Sequence, residues 1–398
     1  MASTPSSSDV LLIGGGVIGL SIAWRAAERG MSVTVLERDT LGSGTSSVAA
    51  GMLAPVAETE FGEAAGRVLE LGLRSAGLWP SFAEQLQAVS GIEVGLQPTG
   101  TLMLARDDDE ARELERQIAF RDKLGLQTRR LRASQARERE PALAPTMRLA
   151  LEAPDDHSVD PRCVLAALRA VCESAGVRLR EHACVAGLDV DGGGRVAGVV
   201  LDDGQTVQAP RVVVAAGAWS PQITDGLGSA PPVRPVRGQL LRLRDPAGPG
   251  LLSSVIRFEG GYIVPRADGR YVLGATVEER GFDVEPDVGG IYELLREAHE
   301  IVPGVGELKI EELCVGLRPG MPDNAPAIGP GDLAGLTWAT GHHRNGILLA
   351  PLTAELLVSL LSGQQPDAET AGLLDTCDPL RFAPAVLKSG SRPQAALA

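Results

Sequence analysis

The stretch that most constrains this chain runs from Asp9 to Glu37, DVLLIGGGVIGLSIAWRAAERGMSVTVLE. Val10 to Ile13 is a short apolar run of the kind that forms a buried parallel strand. Gly14, Gly16 and Gly19 follow at G-x-G-x-x-G spacing. A helical pattern then continues to Gly30, and a second apolar strand, Ser32 to Leu36, ends in Glu37. Glycines permit a tight turn and let bare backbone approach a pyrophosphate, while the helix start offers free N–H groups and a positive dipole end. Glu37 stands where an acidic side chain accepts hydrogen bonds from a ribose hydroxyl. A glycine triplet alone reads equally as a loose loop. Strand, helix, second strand and terminal acid in order make it a dinucleotide cradle. The adenine half is thereby defined; the other half is open between nicotinamide and flavin.

Length and composition narrow the class. With 398 residues and 44% hydrophobic content the chain can bury a large core and build two domains. A formal charge of −14 argues against nucleic acid or an anionic membrane as partner and mainly favours solubility. The leading MASTPSSS lacks a basic region, and Val10 to Leu20 is too short and glycine-rich to span a bilayer, so a cytoplasmic location is expected. Five cysteines without C-x-x-C spacing give neither a disulfide framework nor a zinc site, and no H-E-x-x-H is present.

Beyond Glu37, Leu41 to Leu53 (LGSGTSSVAAGML) is rich in small residues and nearly uncharged. Linkers rarely pass from Gly/Ser into such an apolar run, which points to a loop lying against a flat ligand. Helical periodicity follows from Gly66 to Val89, a strand over Gln97 to Ala105, and a charged helix over Asp107 to Leu124. Asp160-Pro161 starts another helix, and Asp191 to Gly194 marks a hairpin. Val212 to Val214 is a buried strand, after which Ala215, Ala216 and Gly217 turn against something bulky. This second backbone approach, far from the first, favours flavin over nicotinamide. Between Val233 and Lys309 the segments RGQLLRLR, SSVIRF, GYIVPR and GRYVLGATV predict an antiparallel sheet with one helix. Leu336 to Thr340 leads through GHHRNG into an apolar helix, Ile347 to Leu361, interrupted near its start by Pro351. A strand–turn–helix unit this late implies a discontinuous cofactor domain.

Six segments in order, GGGVIG, TSSVAAGML, VVVAAGAW, YIVPR, GLRPG and GHHRNGILLAP, resemble flavin-dependent amine oxidases of the D-amino-acid oxidase type. The likeness is nearest to glycine oxidases and more distant to sarcosine oxidases. It covers the chain to about Leu361, and the last two segments are far more specific than the glycine fingerprint. The resemblance implies an α/β fold: a discontinuous, Rossmann-like FAD-binding βαβ domain plus a mostly antiparallel β-sheet substrate domain. The first is expected from residues 9–90, 146–225 and 325–365, the second from 91–145 and 226–324. Residues 366–398 are expected to be an extension with a disordered end. It also implies FAD held non-covalently, and oxygen-dependent deamination of glycine, sarcosine or D-alanine. The products are the 2-oxo acid, ammonia or amine, and hydrogen peroxide, with imine feeding thiamine thiazole synthesis. A homo-oligomer, a tetramer, is further suggested.

Residue by residue, the resemblance assigns Gly14, Gly16, Val17, Ile18, Gly19, Glu37 and Arg38 to the FAD pyrophosphate and ribose. Thr45, Ser46, Ala50, Gly51 and Met52 match the loop beside the flavin ring; Val185 matches a backbone contact on the adenine side, and Gly217 belongs to the later turn. His342, His343, Arg344, Asn345, Gly346, Ile347 and Leu348 match the loop over the flavin edge. Arg318 matches the arginine holding the substrate carboxylate, Tyr262 its hydroxyl partner, and Arg344 a second pocket arginine. Two departures stand out: Gly260 where a histidine is expected, and Val277 where a methionine would line the pocket.

The implied chemistry is hydride transfer from the substrate α-carbon to flavin N5, which requires the carboxylate to be held in a fixed direction. A guanidinium does this through two parallel N–H bonds. No general base is apparent. A dehydrogenase of the same fold, passing electrons to another acceptor, is the near rival, and a non-catalytic flavin-binding sensor the rival of another class. A nicotinamide-dependent dehydrogenase leaves the later glycine turns unexplained. Cys314 stands about where sarcosine oxidases carry a flavin-linked cysteine, but cysteine most often simply packs. Acid precipitation of the holoprotein should therefore leave a colourless pellet and all flavin in the supernatant; a yellow pellet would mean a covalent link.

Overall fold

In the computed structural model, which describes residues 8–59, 61, 65–224 and 227–383, the strands Val10–Ile13 and Val33–Leu36 lie side by side in parallel and are wholly buried. Thr34, their one polar residue, shares a hydrogen bond with Ser8 Oγ, so its burial leaves no orphaned hydroxyl. The full sheet runs in the order Ala327–Pro330, Leu336–Thr340, Val212–Val214, Val10–Ile13, Val33–Leu36, Arg178–Arg180. All neighbours are parallel except the first pair. The chain thus returns to this sheet from three separate stretches, which is the discontinuity expected above.

Helices cover one face of the sheet. Val17–Glu28 packs against Pro161–Ser174 and Gly346–Leu361, with the long helix Ala65–Ser90 outside them. On the other face lies a three-stranded antiparallel sheet, Val185–Val190, Val196–Leu201 and Thr206–Gln208, closing a core around Leu11, Val212 and Trp338. Gly346–Leu361 is apolar over most of its surface because most of it is buried, with Glu355 exposed. Among the described residues, His343–Leu361 is long and apolar enough to cross a membrane, but most of it is buried inside this core.

The second sheet has eight strands, ordered Lys309–Gly320, Arg234–Arg244, Arg270–Gly274, Gly261–Pro265, Val255–Phe258, Thr101–Ala105, Leu149–Ala153, Arg129–Arg132. Only the pairing of Val255–Phe258 with Thr101–Ala105 is parallel. One face packs on the helix Val288–Ile301 through Leu241, Leu273, Leu294 and Ile301. The opposite face looks back toward the first sheet.

The structure adds details that periodicity did not provide. The small-residue loop contains a single helical turn, Thr45–Val48, and a short strand, Met52–Leu53, paired with His157–Ser158. Pro351 does not interrupt its helix, which continues from Gly346 to Leu361. The Leu348 carbonyl, in the turn before this proline, accepts from Ser75 Oγ and Trp79 Nε1. Leu149–Ala153, placed by the expected boundary at 146 on the cofactor side, hydrogen-bonds instead within the eight-stranded sheet. A helix, Ala368–Thr376, capped by Asp367, lies within the expected extension. The expected disordered end falls on residues 384–398, outside the described residues.

The glycine turn is shaped by contact as much as by freedom. Gly14 has φ of 109°, and a Cβ there would lie 2.5 Å from the Ala215 carbonyl oxygen; a Cβ on Gly19 would lie 1.9 Å from the Gly14 oxygen. Helix, turn and the Val212–Val214 strand end therefore meet backbone to backbone. Gly19→Ala is expected to destabilise the fold by about 1–3 kcal/mol and to lower retained FAD, read by thermal unfolding and flavin stoichiometry.

Candidate active site

One cavity of about 600 Å³ lies between the parallel sheet and the open face of the eight-stranded sheet. At one end it is lined by Gly14, Gly16, Val17 and Ile18, at the start of Val17–Glu28. Gly16 caps that helix without a side chain, so its first N–H groups face the cavity, with Val17 N–H donating to Ser46 Oγ at 3.1 Å. Gly19 does not line the space; it lets the helix sit against Gly14. Glu37 lines it, and its carboxylate accepts from Gly15 N–H at 2.7 Å and Asp39 N–H at 3.0 Å. The acid thus braces the glycine loop while lining the cavity. Arg38, Val185 and Gly217 also line this end. Trp219, which the sequence reading did not single out, lies there with Arg38 over its ring at 4.6 Å.

Thr45, Ser46, Ala50, Gly51 and Met52 line the middle. Thr45 Oγ1 donates to the Leu317 carbonyl at 2.8 Å and sits 3.3 Å from the Leu317 N–H, so this segment is tied to the strand that carries Arg318. Ser47 and Ala50 carbonyls accept from Arg242 and Arg266 of the second sheet. His342, His343, Arg344, Asn345, Gly346 and Ile347 close the far end at a second helix start, also without a side-chain cap. Leu348 does not line the cavity but is buried in the helical core. His342 bonds Thr353 Oγ1 at 3.0 Å, and burial pushes its imidazole down to about 3, His343's to about 4. Both rings are neutral at ordinary pH.

Two helix starts without side-chain caps, a glycine cradle and an acid about 20 residues on fit a long dinucleotide, so these residues suit FAD. Cys314 is not among the lining residues; it packs with Ala50, Leu240 and Val272.

Beyond the middle the sheet face supplies charged groups. Arg318 is half-buried and lines the cavity, with Nη1 donating to the carbonyls of Arg237 at 3.3 Å and Thr276 at 3.0 Å. Tyr262 is a further hydrogen-bond partner of this guanidinium, which carries five N–H donors in all. Burial and the nearby Arg344 pull its pKa down, while Tyr262 and Glu58 oppose them. Behind it, fully buried Arg237 is held by Glu278 and Asp287, which fixes one of the two accepting carbonyls. Room for the guanidinium comes from Gly238, where a Cβ would lie 2.4–2.6 Å from Arg318. Tyr262 stands beside Arg318, its hydroxyl held un-ionised by burial.

Sequence reasoning missed Glu58 and Arg257, both lining this end. Glu58 lies 3.3 Å from Arg257 Nε and 3.5 Å from Arg344 Nη1. Burial raises its pKa, but Arg257, Arg344 and Arg318 together outweigh this and hold the carboxyl below its ordinary value. Its backbone is gripped from both sides: buried Asp156 accepts from Val56 and Ala57 N–H, and buried Arg121 donates to the Val56, Ala57 and Thr59 carbonyls. Burial pushes Asp156 up to about 7. The only signal was a lone acid after GML, without a spacing rule to mark it.

A family described as "DAO: FAD dependent oxidoreductase" matches residues 9–360. The glycine oxidase of Geobacillus kaustophilus is 36% identical over 359 residues, covering 90% of this chain and 93% of that protein. A bifunctional protein ThiO/ThiG of Synechocystis is also 36% identical, over 95% of this chain, but the chain spans only 54% of its length. Among solved structures, the G. kaustophilus glycine oxidase superposes with a TM-score of 0.86 at 34% identity, covering 94% of this chain and 99% of that one. An iminodiacetate oxidase from Chelativorans sp. gives 0.82 at 30% identity, covering 90% and 96%.

Because Gly238 makes the space Arg318 occupies, Gly238→Ala should leave FAD in place yet weaken acetate or glycolate binding about tenfold or more. Perturbation of the flavin spectrum on titration measures it.

Proposed function

The chain belongs to the FAD-dependent oxidoreductase family of D-amino-acid oxidase type, and on that premise we propose that it oxidatively deaminates glycine and small amines such as sarcosine and D-alanine. The observation that carries this reading is Arg318. It is a guanidinium set on a strand, braced by two carbonyls, beside a tyrosine hydroxyl and facing a cavity whose remaining length fits FAD. Bound FAD supplies the two-electron acceptor. The chain's own residues bind and orient.

Arg318 takes the substrate carboxylate through its guanidinium N–H groups, and the Tyr262 hydroxyl donates to the same carboxylate. Two donors from different strands fix direction as well as position, turning the α-carbon toward the middle of the cavity. Arg344 and ionised Glu58 line the space around the amine end. Neutral His342 and His343 add no charge there. With no imidazole or free carboxyl poised near neutrality at that point, the substrate amine gives its proton to water.

Oxygen is the proposed acceptor, as the glycine oxidase relatives suggest. The imine is proposed to enter thiazole synthesis for thiamine, in keeping with the relatives named ThiO/ThiG. A cytoplasmic homo-oligomer, non-covalent FAD and the site assignments made above belong to the same proposal. So do the domain limits, with the strand Leu149–Ala153 moved to the substrate side.

Arg318→Ala is expected to keep its FAD while kcat/KM for glycine falls about 30- to 1,000-fold, as loss of roughly 2–4 kcal/mol of charged hydrogen bonding dictates. Anaerobic flavin bleaching measures the step and an oxygen electrode the acceptor. Bleaching by no small amine would leave a flavin-binding sensor; bleaching without oxygen uptake would leave a dehydrogenase.

A further inference from the structure

Arg257 lies on the strand Val255–Phe258, directly opposite Tyr262 in an antiparallel ladder. Directly opposed residues project from the same face, so this guanidinium shares the cavity with Tyr262 and Arg318. It donates to the Ala57 carbonyl and faces Glu58 Oε1 at 3.3 Å. Glu58 Oε2 is 3.5 Å from Arg344. Charge-assisted bonds ordinarily close to about 2.7–2.9 Å, so Glu58 is shared between two cations and drawn tightly to neither. Among the described residues at this end of the cavity, three are arginines and Glu58 is the single acid.

Space lies next to the charge. Gly260 lines the cavity in the turn just after Arg257's strand, and a Cβ placed there would meet nothing within 4 Å. Exposed Val277 brings no polar group to compete. A substrate with one carboxylate occupies Arg318 and leaves Arg257 to Glu58. A substrate with two would set the second on Arg257, in the position Glu58 now partly fills.

We propose that the pocket accepts amino or imino acids bearing a second carboxylate, with Arg257 as the residue that selects it and Glu58 as the anion it displaces. This rests on the amine-oxidising function proposed above. The pair then acts on specificity with opposite signs: the cation attracts the second carboxylate and the acid opposes it. A pair that served only to brace the fold would affect all substrates alike.

The test compares iminodiacetate with glycine, as anaerobic flavin bleaching by holoenzyme, in the parent, Arg257→Gln, Arg257→Lys and Glu58→Gln. The expected result is an iminodiacetate-to-glycine ratio of kcat/KM that falls about 10- to 100-fold in Arg257→Gln, is partly restored in Arg257→Lys, and rises in Glu58→Gln. FAD stoichiometry reports folding of each variant. An unmoved ratio, with glycine still oxidised, overturns the assignment of Arg257 alone, as does a parent enzyme that bleaches with glycine but never with iminodiacetate. Bleaching by neither compound in the parent overturns the amine-oxidising reading and this inference with it.

Discussion

The hydroxyl of Thr45 holds the two halves of this molecule in register. It donates to the Leu317 carbonyl and stands within reach of the Leu317 N–H, so one side chain engages both polar groups of a single residue in the opposing sheet. The loop bearing Thr45 follows directly from the dinucleotide cradle, and the next residue along the strand is Arg318. The cradle and the strand that carries Arg318 are therefore linked by a short polar contact. Arg242 and Arg266 extend the same seam by bonding the Ser47 and Ala50 carbonyls. An apolar loop with exposed backbone polar groups would be costly between two sheets. Here the opposite layer satisfies them.

The electrostatics of the arginine-lined end of the cavity follow from the same arrangement. Strands of the eight-stranded sheet deliver Arg257, Tyr262 and Arg318 to one face, and the helix-start loop adds Arg344. Burying so much like charge is unfavourable unless anions offset it. Glu58 supplies part of that offset, and the Asp156–Arg121 clamp on its backbone keeps it there. The proposed hold on a substrate carboxylate rests on Arg318 within this set. Behind Arg318, Arg237 and Arg280 with Glu278 and Asp287 form a balanced cluster that stiffens the support without lining the cavity.

The cradle was fully legible because its physics is local: strand, glycines, helix start and acid all fall within thirty residues, and backbone sterics fix their geometry. The parallel sheet followed nearly as well, since Val212 to Val214 and Leu336 to Thr340 carry the same buried-strand signature. Arg318 and Tyr262 could be picked out through resemblance, not through spacing. Leu348 lies outside the cavity lining because successive residues of a helix point in different directions, and of the helix Gly346–Leu361 Gly346 and Ile347 line it. Pro351 read as an interruption, yet the helix runs through it, with the nearby Leu348 carbonyl taken up by Ser75 and Trp79 from a helix some 270 positions away.

By itself the sequence determined the α/β class, the glycine cradle with its terminal acid, and the return of the chain to its first sheet. All of these depend on short-range periodicity or on backbone conformation. Tertiary structure alone decided that Glu58, Arg257 and Arg344 share one space, that Gly238 exists to make room for Arg318, and that Cys314 packs away from the cavity. Those are contacts between segments up to nearly three hundred residues apart, and side-chain direction across a cavity is set by sheet register and packing, which no local pattern encodes.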